Sequence, residues 1–285
     1  MATGGMRKET LLRFVRLALA VAEKELPPYS HRFAPHRYRL AQLGACCLLK
    51  VLLRQDLRGI EALLSVSAEL RKALGLKRVP DHSTLCRFEN RWLTPERLDR
   101  MLGSACEKAG VKQGAVAADS TGLEASTATP YFEMRRGGRR KAYLKLSLLV
   151  ALSGFLAVSA VASSGPSNDK EQLRPLLAGL EARLTASEFL ADAGYDAEWV
   201  HEWCRDRHGI ESWIPPVIHR RDGKVGGRWR KVMAQGLPEN YGRRWGVETF
   251  ISGLKRTVGA ALQSRSLAGQ CGEAIQRTLA YTLRR

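Results

Sequence analysis

Three acidic residues far apart in the chain sit where a side chain could do chemistry. Asp119 closes the apolar run AVAAD, and Asp192 closes EFLAD. Glu248 is the only carboxylate in YGRRWGVETFISGLK (241–255), a stretch that also carries Arg243, Arg244 and Lys255. An acid just past an apolar strand of a mixed sheet is a usual place for a functional group. One such acid means little, because strands often end in Asp at a turn. Two of them with a third acid on a basic segment form a pattern. Carboxylate oxygens are the hard ligands that Mg²⁺ and Mn²⁺ prefer. Three acids held together would repel one another and resist ionisation, and divalent cations would relieve that repulsion. Two such ions ~4 Å apart can stabilise both the attacking and the leaving oxygen of an in-line phosphoryl displacement. The chemistry suggested is the cutting or joining of phosphodiesters.

The 241–255 stretch reads as a helix. At ~100° per residue, Tyr241, Arg244, Glu248 and Lys255 fall within about 60° of one face. Glu248 could then reach a metal while Arg244 and Lys255 meet phosphates, and Tyr241 could stack on or hydrogen-bond a nucleotide. The same spacing also suits an ordinary i,i+4 ion pair of Arg244 with Glu248, worth only ~0.3–0.5 kcal/mol.

Elements must bring these acids together. Residues 1–110 read as all helical, with about five helices by periodicity and caps. The first covers 7–26 and stops at Pro27-Pro28, the next covers 37–53, and two short ones end at Gly75. Asp81 or Ser83 caps a helix running to 93, and Thr94-Pro95 opens another. After Gly114 the pattern changes. AVAADST is a short strand, and KAYLKLSLLVAL and GFLAVSAVAS form a hairpin turning at Ser153-Gly154. Residues 170–183 read as a helix, SEFLADAGYD as a strand and turn, and AEWVHEWCRDRHG as a helix closed by Gly209. IESWIPPV is a strand whose prolines place it at an edge. A basic loop, the Glu248 helix and a last helix near 269–283 follow. The expected fold class is α/β, a mixed sheet flanked by helices and preceded by an all-helical N-terminal region. Asp196, in the turn after Asp192, is expected to cap the next helix. Asp169 also falls near the proposed site.

The 285 residues carry 46 Lys and Arg against 28 Asp and Glu, a net charge of +18 that favours polyanionic partners. Hydrophobic residues make up 45%, enough for a packed core. The longest apolar run, LSLLVALSGFLAVSAVA, is broken by serines and Gly154 and does not suit a bilayer span. The charged, helix-periodic N-terminus does not read as a signal peptide. Six cysteines lack C-x-x-C or Cys/His spacing and read as reduced and mostly buried, with no zinc site. His31, His36, His201, His208 and His219 lack ligand spacing and read as surface or packing residues.

Cations concentrate in two glycine-containing loops. RRGGRRK (135–141) offers Arg139, Arg140 and Lys141, and HRRDGKVGGRWRK (219–231) offers Arg228, Arg230 and Lys231. Such loops neutralise phosphates and make affinity fall with salt. Trp229 could stack on an unpaired base or pack on its own domain. Helices over 55–93 could form a helix-turn-helix reading bases through His82, Ser83, Thr84 and Arg87, or could serve only for dimerisation or bracing.

YGRRWGVETFISGLK matches Y-x₂-R-x₃-E-x₆-K at all four positions. This resembles the glutamate-helix signature of DDE transposases of bacterial insertion sequences. AADSTGL resembles the family's first-aspartate strand, FLADAGYD its second-aspartate strand and turn, and KAYLKLSLLVAL with its hairpin the strands between. SGPSNDKEQL resembles the loop into the next helix, and PDHSTLCRFENR the helical N-terminal region. The resemblance covers about residues 75–280.

It implies a ribonuclease H-like catalytic domain over 113–285, after a helical DNA-binding or dimerisation region over 1–112. It implies Asp119, Asp192 and Glu248 as catalytic ligands of two Mg²⁺ ions, with Mn²⁺ able to substitute, and no nucleotide cofactor. Arg244 and Lys255 would contact transposon-end DNA, with Tyr241 carried as a member of the motif. The implied reaction is strand cleavage by water, then attack of the freed 3′-hydroxyl on target DNA, without a covalent enzyme–DNA intermediate. Implied partners are double-stranded DNA, as terminal inverted repeats and target, and further copies of the chain in a homo-oligomer. The setting would be cytoplasmic and nucleoid-associated in a prokaryote, with no membrane. Only residues 193–247 separate Asp192 from Glu248, so the long β-rich insertion of some relatives is small or absent. A ribonuclease H-like nuclease without strand transfer and a non-catalytic domesticated DNA-binding protein are the competing readings.

Overall fold

The structure, a computed structural model, describes residues 7–124, 143–218 and 225–285. Six helices precede the sheet: α1 (Lys8–Glu25), α2 (Leu40–Leu52), α3 (Leu57–Val66), α4 (Ala68–Ala73), α5 (His82–Trp92) and α6 (Pro95–Lys108). Their starts follow the cap residues in the sequence. The side chains of Asp56, Ser67, Asp81 and Thr94 accept from the amides of Gly59, Leu70, Thr84 and Arg97. Each such cap contributes about 1 kcal/mol.

The sheet comprises β1 (Gln113–Glu124), β2 (Tyr143–Ala151), β3 (Leu156–Ser164), β4 (Thr185–Ala191) and β5 (Glu211–Trp213), ordered β3-β2-β1-β4-β5. The first three strands are antiparallel neighbours, and β4 and β5 run parallel to β1. α7 (Asp169–Ala178) joins β3 to β4, and α8 (Glu198–His201) continues as a π-helical turn to Arg207 before β5. After β5 come α9 (Arg228–Gln235), a 3₁₀ segment (Glu239–Arg244), α10 (Trp245–Val258) and α11 (Leu267–Arg284). This is the α/β, ribonuclease H-like mixed sheet flanked by helices, with a helical N-terminal region.

The pleat sorts the strand residues onto two faces. Ala117, Leu146, Leu148 and Leu190 pack into a core shared with the N-terminal helices, α10 and α11. Val116, Ala118, Leu149 and Phe189 face the opposite way, against Leu173, Leu176 and Leu177 of α7. The helices before Gln113 therefore share one continuous core with the sheet.

Several expectations need correction. Asp119 does not end its strand: β1 continues to Glu124, held by antiparallel pairing with β2. The basic segment ending at Lys231 is not all loop, because Arg228 begins α9. The 241–255 stretch is not one helix. Glu239–Arg244 winds as 3₁₀ after Pro238, and the α-helix starts at Trp245. Asp196 does not cap α8, whose start has no side-chain cap. Among the described residues, no helix is long and apolar enough to cross a membrane.

His201 fixes one stability property. It is fully buried, its Nδ1 meets Ser212 Oγ at 2.8 Å, and its Nε2 has no partner. Burial, seconded by Arg205 and Arg230 and opposed by Asp196 and Glu198, pushes the imidazole down to about 4. The unfolded imidazole takes a proton near pH 6.5, so unfolding is favoured as pH falls from there towards 4. Denaturant titrations should show a loss of up to about 3 kcal/mol across that window. His201→Asn should flatten this slope. Parallel pH curves for the two proteins would refute the assignment.

Candidate active site

Parallel pairing places two of the acids side by side. β1 pairs with β4 as far as Ala118 opposite Ala191, so Asp119 and Asp192 are the next residues on adjoining strands. Alternation turns Asp119 to the side of Ala117 and Leu148, and the extended Asp192 to the side of Leu190. Val247, Phe250, Ile251 and Leu254 seat α10 on that same side, against β1 and β2. Glu248, on the outer side of α10, keeps half of its side chain exposed.

α10 is pinned at both ends. At its start, Tyr241 Oη donates to Ala191 O at 2.9 Å, one residue before Asp192. At its end, the Arg54 guanidinium donates to the carbonyls of Arg256 and Thr257. Glu124 of β1 exchanges backbone hydrogen bonds with Ala260 and Leu262 just beyond the helix. These ties fix the Glu248 backbone relative to both aspartate strands. Tyr241 is thus tied to the second-aspartate strand rather than placed on the α-helical face of Glu248.

The electrostatics agree with proximity. Burial pushes Asp119 up to about 6; the charges of Asp192 and Glu248 add to the rise, while the Ser120 amide and Arg244 oppose it. Each acid has a substitute partner. Asp119 Oδ1 accepts from the Ser120 amide at 2.7 Å, Asp192 Oδ1 from the Gly194 amide at 3.0 Å, and Glu248 Oε1 from Arg244 at 2.6 Å. Among the described residues, no three His, Cys, Asp or Glu side chains are grouped closely enough to hold a metal ion. The donor set still fits a hard divalent cation: two carboxylates at neighbouring strand positions, one resisting ionisation, and a third on a helix clamped beside them.

Other predicted residues are placed differently. Arg230 forms a two-point ion pair with Asp196, at 2.8 and 2.7 Å, whose side chain is almost wholly buried. Arg228 and Lys231 are exposed, with Arg228 lying over Trp229 and 3.7 Å from Asp206. Trp229 packs on its own domain, beside Arg205 and bonded to Asp206. Lys255 is half-buried in α10. Arg139, Arg140 and Lys141 lie outside the described residues. In α5, Ser83 and Thr84 are engaged with Asp81 and His82 with Glu61, leaving Arg87 exposed.

Sequence reasoning put Asp169 near the site but missed its partners Ser120 and Lys145. On the opposite face of the sheet, Asp169 accepts from Ser120 Oγ and pairs at 2.8 Å with the buried Lys145. Alternation along KAYLKLSLL puts Lys145 in an inward-facing register, and that was the available signal. Asp169 is therefore committed to an internal pair.

A family model described as "Transposase DDE domain" matches residues 111–283, more than half of the chain. No curated protein matches the chain.

Proposed function

The chain belongs to the transposase DDE domain family, and from that premise we propose that it cuts the ends of a mobile element and joins them to target DNA. The observation that carries this reading is the β1–β4 register, which sets Asp119 and Asp192 side by side on the face that carries the Glu248 helix. Enzymes of the family generally depend on a divalent metal. We assign Asp119, Asp192 and Glu248 as its ligands, with two Mg²⁺ ions, or Mn²⁺ in their place, as the occupants. Bound there, the ions supply charge stabilisation at the scissile phosphate.

The protein's own groups do the rest. The Ser120 and Gly194 amides hold the two aspartate side chains in place on their strands. Arg244 covers Glu248 until phosphate competes for the guanidinium, which matches phosphate oxygens in fork geometry. Tyr241 holds the start of α10 against β4, and Lys255 adds a cation about two turns further along the Glu248 face. Water attacks the end phosphorus and the P–O3′ bond breaks, leaving a free 3′-hydroxyl. That hydroxyl then attacks a target phosphorus, the new P–O bond replaces one in the target, and a target 3′-hydroxyl leaves. Residues 1–112 would grip the terminal repeats, with a homo-oligomer pairing two ends.

The joining step separates a transposase from a nuclease. Duplexes copied from the DNA flanking the gene, pre-cut to expose a 3′-hydroxyl, should become covalently linked to a supercoiled plasmid in Mg²⁺. Plasmid nicking without linkage would identify a nuclease instead.

A further inference from the structure

We propose that Asp169, held by Lys145, is a positioning residue for both aspartates of the candidate active site, an inference that rests on the ligand assignment above. By alternation Ser120 points away from Asp119, to the face covered by α7. There its Oγ donates to Asp169 Oδ1. Lys145, opposite Gly122 on β2, points to the same face, and its Nζ lies 2.8 Å from Asp169 Oδ1 and donates to Ser167 O. Asp169 also backs the second aspartate. A Cβ on Gly194 would fall 3.1 Å from Asp169 Oδ2 and 3.0 Å from Asp192 Oδ1, and the Gly194 amide is the one that holds Asp192. One carboxylate thus meets the residue after Asp119 with one oxygen and the residue that bonds Asp192 with the other.

Bracing the fold does not account for this group. Lys145 is 5% exposed, and an ion pair so far from water gives a fold little or nothing over apolar side chains of the same volume. Ser147, which faces Ser120 across the β1–β2 pair, is fully buried with its hydroxyl unbonded. Apolar side chains would serve packing better at these places. What the ion pair does supply is a carboxylate fixed between two strand ends. The β1–β4 pairing stops at Ala118 and Ala191, one residue short of the acids, and Asp169 bridges the strands beyond that last pair. Lys145 offsets its charge, which would otherwise add to the repulsion between Asp119 and Asp192. Groups that orient metal ligands in this way typically change metal affinity by about 10- to 100-fold.

The test reads metal binding directly, without DNA. Mn²⁺ is titrated with full-length protein while the free ion is followed by its electron paramagnetic resonance signal, and each variant's denaturant midpoint is recorded alongside. Ser120→Ala keeps the Lys145–Asp169 pair and removes only its tie to β1. It should weaken Mn²⁺ binding by about 10-fold or more, while Ser120→Thr, which keeps the hydroxyl, should stay within a few-fold of the parent. Asp169→Asn with Lys145→Met removes both charges and leaves neither alone, so the chain should fold, yet it should lose Mn²⁺ affinity by about 10- to 100-fold. Folding kept without affinity kept is a result that bracing alone would not give. Parent-like affinity in Ser120→Ala, or in the double variant when folded, would overturn the inference, and Ser120→Ala decides alone if the double variant does not fold. If Asp119→Asn still abolishes binding in that case, the ligand assignment stands and only the role of Asp169 falls. A parent chain that binds no Mn²⁺, or an Asp119→Asn variant that binds it as the parent does, would remove both.

Discussion

Asp119→Asn, Asp192→Asn and Glu248→Gln are each expected to lower metal-dependent DNA cleavage by about 10³-fold or more, with DNA affinity within a few-fold of the parent chain. Removing a ligand oxygen forfeits several kcal/mol of charge stabilisation, and each 1.36 kcal/mol is tenfold in rate. The amides keep shape and remove only charge. Folding should not suffer. Asp119 ionises against burial and two like charges, so its charged form weakens the metal-free fold above about pH 6 and relaxes as pH falls towards 4. Asp119→Asn should therefore match or exceed the parent in stability at pH 7 without metal, by about 1–2 kcal/mol after allowing for partial exposure. An Asp119→Asn variant that is inactive but also destabilised would point to a structural carboxylate instead.

Asp196 should behave in the opposite way. It lies four residues past Asp192, yet its side chain is almost wholly buried. It accepts two hydrogen bonds from Arg230 and one, at 2.7 Å, from the Val217 amide. Asp196→Ala should cost about 2–4 kcal/mol, because the partly buried Arg230 guanidinium loses its counter-charge and the Val217 amide its acceptor. Replacing both partners, Asp196→Ala with Arg230→Met, should recover much of that loss, since the unpaired charge leaves as well. Denaturant midpoints for the two single variants and the double variant test this. Equal destabilisation by single and double variants would show that the pair does not account for the effect. The contrast separates the chain's acids by measurement: loss of activity without loss of stability for Asp119, loss of stability for Asp196.

The sequence carried the elements better than their partners. Cap residues such as Asp81 and Thr94 have one local use and marked helix starts directly. The hairpin turn at Ser153-Gly154 and the strand-end position of Asp192 follow from local pattern in the same way. The length of β1 was hidden, because Asp119, Ser120, Thr121 and Gly122 make a weak strand signal and are held in register by β2. Helical periodicity assumed a constant 100° per residue and so carried Tyr241 onto the Glu248 face. Pro238 and the Tyr241–Ala191 bond, a contact across fifty residues, wind that segment as 3₁₀. Arg230 looked like a free loop cation because its buried partner, Asp196, is distant in sequence.

The claim that three distant acids share divalent cations is tested most directly by changing the softness of one ligand. Asp119→Cys, Asp192→Cys and Glu248→Cys, assayed on a plasmid carrying the gene with its native flanks, should be inactive in Mg²⁺ and should regain cleavage in Mn²⁺, which tolerates a thiolate better. Rescue at both aspartates would place each in contact with the metal. Three cysteine variants that cut as well as the parent in Mg²⁺, or that Mn²⁺ leaves inert at every position, would contradict it.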